Sequence, residues 1–136
     1  MTEHKWPTRI RLPNTRKAIV HKFTIGKTRA YLIVGLYDNG TPGEIFVNVD
    51  KLGSTISGLV DSFAVLMSFA LQYGLPLKEL VAKFKHVRFE PAGLTGNKAI
   101  PITSSIIDYI FTWLEREFVL KSSAPAGGPI GQSPDK

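Results

Sequence analysis

The chain has 136 residues, no cysteine, and 17 Lys or Arg against 11 Asp or Glu, a net charge of +6. That length implies one domain with a sizeable core. The missing thiols exclude disulfides, thiolate metal sites and thiol catalysis, and they fit a cytoplasmic protein.

No apolar run approaches the ~20 residues of a membrane-spanning helix, and the leading residues lack the apolar stretch of a signal peptide, so no membrane role is expected. The charge is uneven. Residues 1–29 hold eight Lys or Arg and one acid, a net of +7, ahead of a nearly neutral remainder. Residues 1–16, with Pro7 and Pro13 and no clear period, are expected to form a basic arm. Its candidate anion contacts are Arg9, Arg11, Arg16 and Lys17, for a nucleotide phosphate ahead of duplex DNA. A small nucleic-acid-binding protein using this arm is the alternative function class.

From Lys17 to Ile25 the alternation of Ile19, His21, Phe23 and Ile25 predicts a strand. Gly26-Lys27 predicts a two-residue hairpin turn. "TRAYLIVGLY" continues as a second strand with Ala30, Leu32, Val34 and Leu36 on one face. "DNGTPG" marks another turn, and "EIFVNVD" makes a third strand.

The period then changes. "STISGLVDSFAVLMSFALQYG" carries Ile56, Leu59, Val60, Phe63, Met67 and Ala70 at helical spacing, with Leu66, Phe69 and Tyr73 broadening the stripe. This helix is expected to be the most buried element, with Ser54 as N-cap and Gly74 just past its end. Asp61, Ser57, Ser68 and Gln72 mark its narrow polar side. Lys51, Ser54 and Thr55 at its start are a second candidate anion site, although the P-loop spacing is absent.

"LPLKELVAKFK" predicts a second helix with Pro76 in its first turn. "FALQYGLPLKELVAKF" has the glycine spacing of a helix-turn-helix. Lys83, however, stands where that pattern needs an apolar residue, and the preceding helix is too apolar to lie across a DNA backbone. In "HVRFEPAGLTGN", His86, Arg88 and Glu90 alternate with Val87 and Phe89, which puts three polar groups on one side of an extended chain. No nucleophile or metal partner has a matching spacing, so no catalytic residue and no metal ligand is assigned. The row is read as a strand edge whose Arg88 and Glu90 pair with neighbours, while Gly93 and Gly96 turn the chain.

A third helix is expected from about Ser104 to Lys121, with more apolar residues than one face needs. Its Phe111, Trp113 and Phe118 are expected to meet another protein surface, in a homodimer or a docked complex. Residues 122–136, rich in Pro, Gly and Ser, are expected to be disordered. Strands first and helices afterwards argue an α+β fold: a three-stranded antiparallel meander followed by about three helices packed on one sheet face, with residues 17–121 as one domain.

Five strings go further: "RLPNTRKAIVHKFTIG", "AYLIVGLYDNGTPGEIFVNV", "GSTISGLVDSFA", "ALQYGLPLKELVAKFKHVRFEPAGLTGN" and "IPITSSIIDYIFTWL". Together they resemble the TSCPD domain found near the C-terminal end of adenosylcobalamin-dependent (class II) ribonucleotide reductases, over about Arg11 to Leu114. The resemblance implies that radical chemistry and adenosylcobalamin belong to a separate catalytic barrel, and that no cofactor is bound by this chain. His86, Arg88, Glu90, Gly93 and Gly96 would then be family hallmarks outside the reductase active site. The full-length enzymes usually follow this module with a cysteine-rich tail, whereas this chain ends in "SSAPAGGPIGQSPDK". The expectation is an accessory, non-catalytic module that acts with a class II reductase chain in deoxyribonucleotide synthesis.

Overall fold

The computed structural model describes residues 5–121. Three strands, β1 (Ala18–Ile25), β2 (Thr28–Leu36) and β3 (Pro42–Val49), form an antiparallel sheet in that order. Gly26, at φ 59°, makes the tight turn between β1 and β2, a backbone region that glycine enters without steric cost. The expected alternation holds. Phe23 and Ile25 of β1, Ala30, Leu32, Val34 and Leu36 of β2, and Ile45 and Val47 of β3 are buried on one face.

Two helices follow, α1 (Ser54–Gln72) and α2 (Leu77–Phe84). A two-residue ladder, β4 (Gly93–Leu94) with β5 (Ile102–Thr103), then leads into α3 (Ile106–Leu114), which runs on as a π-helical turn over Glu115–Leu120. The fold is α+β, a meander followed by three helices, as the order of periods implied.

The burial ranking of the helices is the reverse of the one expected. Only four of the nineteen α1 residues are buried, against seven of nine in α3. The reason lies at the sheet edge. β3 is an edge strand, and its outward N–H and C=O groups need partners. Ser68 of α1 accepts the Ile45 N–H at 2.8 Å, and Gln72 Nε2 donates to the Gly43 carbonyl at 2.9 Å. Ser68 and Gln72 therefore face inward together with Ala64, Met67 and Leu71, and the apolar residues that broaden the stripe, Val65, Leu66, Phe69 and Tyr73, face out. α3 is apolar on every side, so it sinks into the core. Phe111, Trp113 and Phe118 are buried inside the fold, at 0%, 6% and 8% exposure. They are core residues, and a homodimer built on those rings is corrected accordingly.

Three smaller expectations also change. Ser54 does not cap α1: Gly53 holds that position and no side chain caps it. Asp61, placed on one polar side with Ser68 and Gln72, is exposed, whereas Gln72 is buried and Ser68 half-buried. α1 is also long and apolar enough, by length and composition, to cross a membrane, although here it is laid along β3. Its other end is as expected. Gly74, at φ 91°, donates to the Leu71 carbonyl while Leu75 N donates to Ala70, a glycine-terminated helix end. The disorder expected for residues 122–136 lies outside the described residues.

Candidate functional site

The residues singled out from the sequence fall into three places. Arg9 and Arg16 are tied down within the fold. Arg9 Nε donates to Gln72 Oε1 at 2.7 Å, and its guanidinium lies 4.4 Å from the Phe69 ring centre. Arg16 grips Glu44 with two bonds, at 2.6 and 2.8 Å. Ile10 N donates to the Gln72 carbonyl and Tyr37 Oη to the Ile10 carbonyl. The stretch from Arg9 to Arg16 is thus a strap tied to the fold; Arg11 and the adjoining Lys17 are exposed and, among the described residues, make no ion pair.

Lys51 sits elsewhere, beside a cleft of about 1000 Å³ that it lines with Lys22, Lys27 and Arg29. Asp50 pairs with Arg29 at 2.7 Å, and Glu90 adds the other carboxylate. Lys51 holds a left-handed backbone at φ 62°, uncommon for a residue with a side chain. Ser54 and Thr55 are exposed at the start of α1 and do not line this cleft. Lys22, Lys27 and Arg29 were missed by the sequence reading. The signal was present in the meander: the turn at Gly26-Lys27 pairs Ile25 with Thr28, and the β2–β3 register pairs Ala30 with Val49, which brings the hairpin tip beside Lys51.

The row of His86, Arg88 and Glu90 does not form a strand. His86 takes φ 76°, which breaks the extended alternation, and all three side chains are exposed. Among the described residues, Arg88 and Glu90 make no ion pair or side-chain hydrogen bond, so the expected pairing is corrected. The backbone of this segment is what is held. His86 N donates to Asp108 Oδ1 at 2.7 Å, Phe89 N to the Ser104 carbonyl at 3.1 Å, and Ser105 Oγ to the Val87 carbonyl at 2.5 Å. Gly93 uses its freedom at φ 124°. Gly96 does not, since a Cβ there would only touch Thr24 at an ordinary 3.5 Å. Arg88→Ala should therefore shift the melting temperature by no more than ~2 °C, the effect of an exposed substitution; a drop of several degrees in a thermal melt would contradict this placement.

Asp108 is the residue that organises this corner, and the sequence reading passed over it. It is buried, and accepts from His86 N, Ser104 N at 2.8 Å and Thr103 Oγ1 at 3.0 Å. Its own N–H bonds Ser105 Oγ at 2.9 Å. The signal was the Ser105-x-x-Asp108 spacing, a helix-start pattern. Next along α3, Tyr109 receives Asn97 Nδ2 at 3.0 Å on the same hydroxyl that lies 2.9 Å from His21 Nε2. With Asn97 donating, the hydroxyl proton is free to go to a neutral His21.

Burial pushes His21 below its ordinary pKa, against a smaller opposing pull from Glu117. The folded state then binds fewer protons than the unfolded chain, so stability is complete above about pH 6.5 and falls as the solution is acidified from there. Thermal melts should show this loss between pH 7.5 and 5, and His21→Phe should flatten it. An unchanged pH slope in that variant would assign the loss to other groups.

A second pocket, about 390 Å³, lies between α1, α3 and the segment around Pro91. Val49, Ile56, Leu59, Phe63, Phe89 and Ile107 line it, with Glu90 as its ionisable group. Among the described residues no group of three or more His, Cys, Asp or Glu is placed to hold a metal ion.

The TSCPD domain profile matches residues 4–118. A vitamin B12-dependent ribonucleotide reductase from Rhodopirellula baltica is 52% identical over 113 residues, covering 83% of this chain and 11% of that protein. One from Streptantibioticus cattleyicolor is 42% identical over 113 residues, 83% of this chain and 19% of that protein. Another from Bradyrhizobium diazoefficiens is 42% identical over 104 residues, 76% of this chain and 8% of that protein. The chain thus spans a fifth or less of each of these relatives. No solved structure matches. Strap, cleft and Asp108 corner all lie within the matched span, and on that match the chain belongs to the TSCPD domain family.

Proposed function

We propose that this chain is a non-catalytic accessory module of ribonucleotide reduction, acting in the cytoplasm beside a separate B12-dependent reductase chain in deoxyribonucleotide synthesis. The observation that carries this reading is the match of 83% of the chain to a segment that is 11% of a reductase. The chain brings no thiol to the reaction. The test is to mix the chain with a B12-dependent reductase whose own TSCPD segment has been deleted. Association and a change in turnover are expected; no binding and no change in rate would retire the reading.

A second role within the same reading is nucleotide-phosphate binding, favoured by the convergence of Lys22, Lys27 and Lys51 on one cleft. Calorimetry with nucleoside triphosphates should give heat at low salt that falls steeply as salt rises. Lys27→Glu combined with Lys51→Glu should abolish it. The absence of heat from the unaltered chain at low salt would exclude the role.

A further inference from the structure

Among the described residues, the outer face of α1 is open except where the Arg9 guanidinium lies over Phe69. Val65, Leu66, Phe69 and Tyr73 are between 39% and 69% exposed on it. At 100° per residue these four fall with Gly58 and Ser62 inside one arc of about 100°. Ile56 and Leu59, also exposed, flank the arc on the side of the apolar pocket. Together the exposed apolar side chains of α1 present roughly 600–700 Å², more than the largest patch of most monomers.

Gly58 needs its own explanation. Glycine is unfavourable inside a helix, and a Cβ at this position would meet nothing within 4 Å. Nothing inside the fold requires it. A helix that gives up a side chain on its open face leaves a notch for something approaching from outside.

We propose that this face is the seam of a two-fold dimer, in which the α1 helices of two copies of the chain pack antiparallel about an axis between Val65 and Leu66. The stripe is self-complementary in that arrangement. It is small at its N-terminal end (Gly58, Ser62) and bulky at its C-terminal end (Phe69, Tyr73). The axis sets each Phe69 over the second copy's Ser62, and each Tyr73 over the second copy's Gly58. It also brings Asp61, the sole charge on α1, beside the second copy's Arg9, whose guanidinium lies over Phe69. Asp61 is exposed and, among the described residues, has no ion pair. Val65, Leu66, Phe69 and Tyr73 counted on both copies come to roughly 800 Å², the scale of a reversible contact.

This proposal concerns the chain alone and stands or falls apart from the reductase reading. Sedimentation equilibrium of the full chain at micromolar concentrations should show a monomer–dimer equilibrium. Leu66→Asp, which opposes two carboxylates at the axis, should weaken it by roughly tenfold or more. Gly58→Leu should do the same by filling the notch. A Cβ at Gly58 meets nothing within 4 Å and Leu66 is largely exposed, so thermal melts of the variants should remain cooperative. Because the natural chain has no cysteine, single thiols report proximity directly. Leu66→Cys should cross-link under mild oxidation, and Val20→Cys, on the outer sheet face, should not. A monomer at every concentration, a dimer indifferent to both substitutions, or cross-linking through Val20→Cys alone would overturn the proposal. So would a monomer that binds neutral phosphatidylcholine vesicles through α1.

Discussion

Asp108→Ala is expected to lower the melting temperature by about 10 °C or more, the consequence of losing about 3 kcal/mol in a domain of this size. The carboxylate holds two chain segments together. From His86 it takes a backbone N–H across 22 residues, and from Ser104 and Thr103 it takes the end of the β5 turn. Truncation leaves those donors in a corner that is 6% exposed at Asp108 and 0% at Ser105, where water does not replace the lost acceptor. Unsatisfied buried donors are what make such losses large.

The charge of Asp108 can be separated from its shape. Burial pushes the carboxyl up, but the Ser104 and His86 N–H groups and the Thr103 hydroxyl outweigh this and hold it below its ordinary value. A depressed carboxyl contributes stability that is present above about pH 4 and lost as pH falls further. Asp108→Asn keeps the shape and removes that titration, so its melting temperature should fall less steeply than the parent's between pH 4 and 2.5. Parallel acid limbs in the two proteins would show that the carboxylate charge is not what holds the corner.

The sheet was legible in the sequence because alternation and short turns are local signals. Ile19, His21, Phe23 and Ile25 stand at period two, and Gly26-Lys27 leaves one register for the hairpin. The helices were legible in extent and misread in orientation. Helical periodicity finds a stripe, but the rule that the apolar stripe faces the core assumes that the core offers apolar surface. α1 instead meets the backbone edge of β3, which is satisfied by Ser68 and Gln72. A three-stranded meander followed at once by a helix carrying spaced Ser and Gln contained that information.

The candidate site was legible only in pieces. Charge patterning finds cations and does not find their counterparts. Arg9 and Arg16 drew attention in a basic segment, yet Gln72 and Glu44 lie 63 and 28 residues away in the chain. In "HVRFEP" the side chains were weighed and the backbone was not. The structure holds this stretch mainly through N–H and carbonyl groups, while the side chains of His86, Arg88 and Glu90 are exposed, His86 Nδ1 lying 3.7 Å from Asp108 Oδ1. Side-chain alternation cannot register a contact of that kind. The Ser-x-x-Asp spacing at Ser105 was the one local clue to what holds it.

Tyr109 is the place where the sheet, the last helix and the loop before it meet, and its loss should match that of Asp108. The ring stacks on Phe23 with centres 4.2 Å apart, and His21 in turn stacks on Trp113 at 4.9 Å. Tyr109→Ala removes a fully buried ring from between β1 and α3, at a cost of about 3–5 kcal/mol. Against a total stability of about 5–15 kcal/mol, that brings the domain close to unfolding at 37 °C. Tyr109→Phe keeps the stack and removes the hydroxyl that joins Asn97 to His21. It should cost about 1–2 kcal/mol, the penalty for two partly buried groups losing a shared partner. The two variants, compared by denaturant unfolding, separate ring from hydroxyl. If Tyr109→Phe were as damaging as Tyr109→Ala, the polar bridge and not the aromatic stack would be what fastens α3 to the sheet.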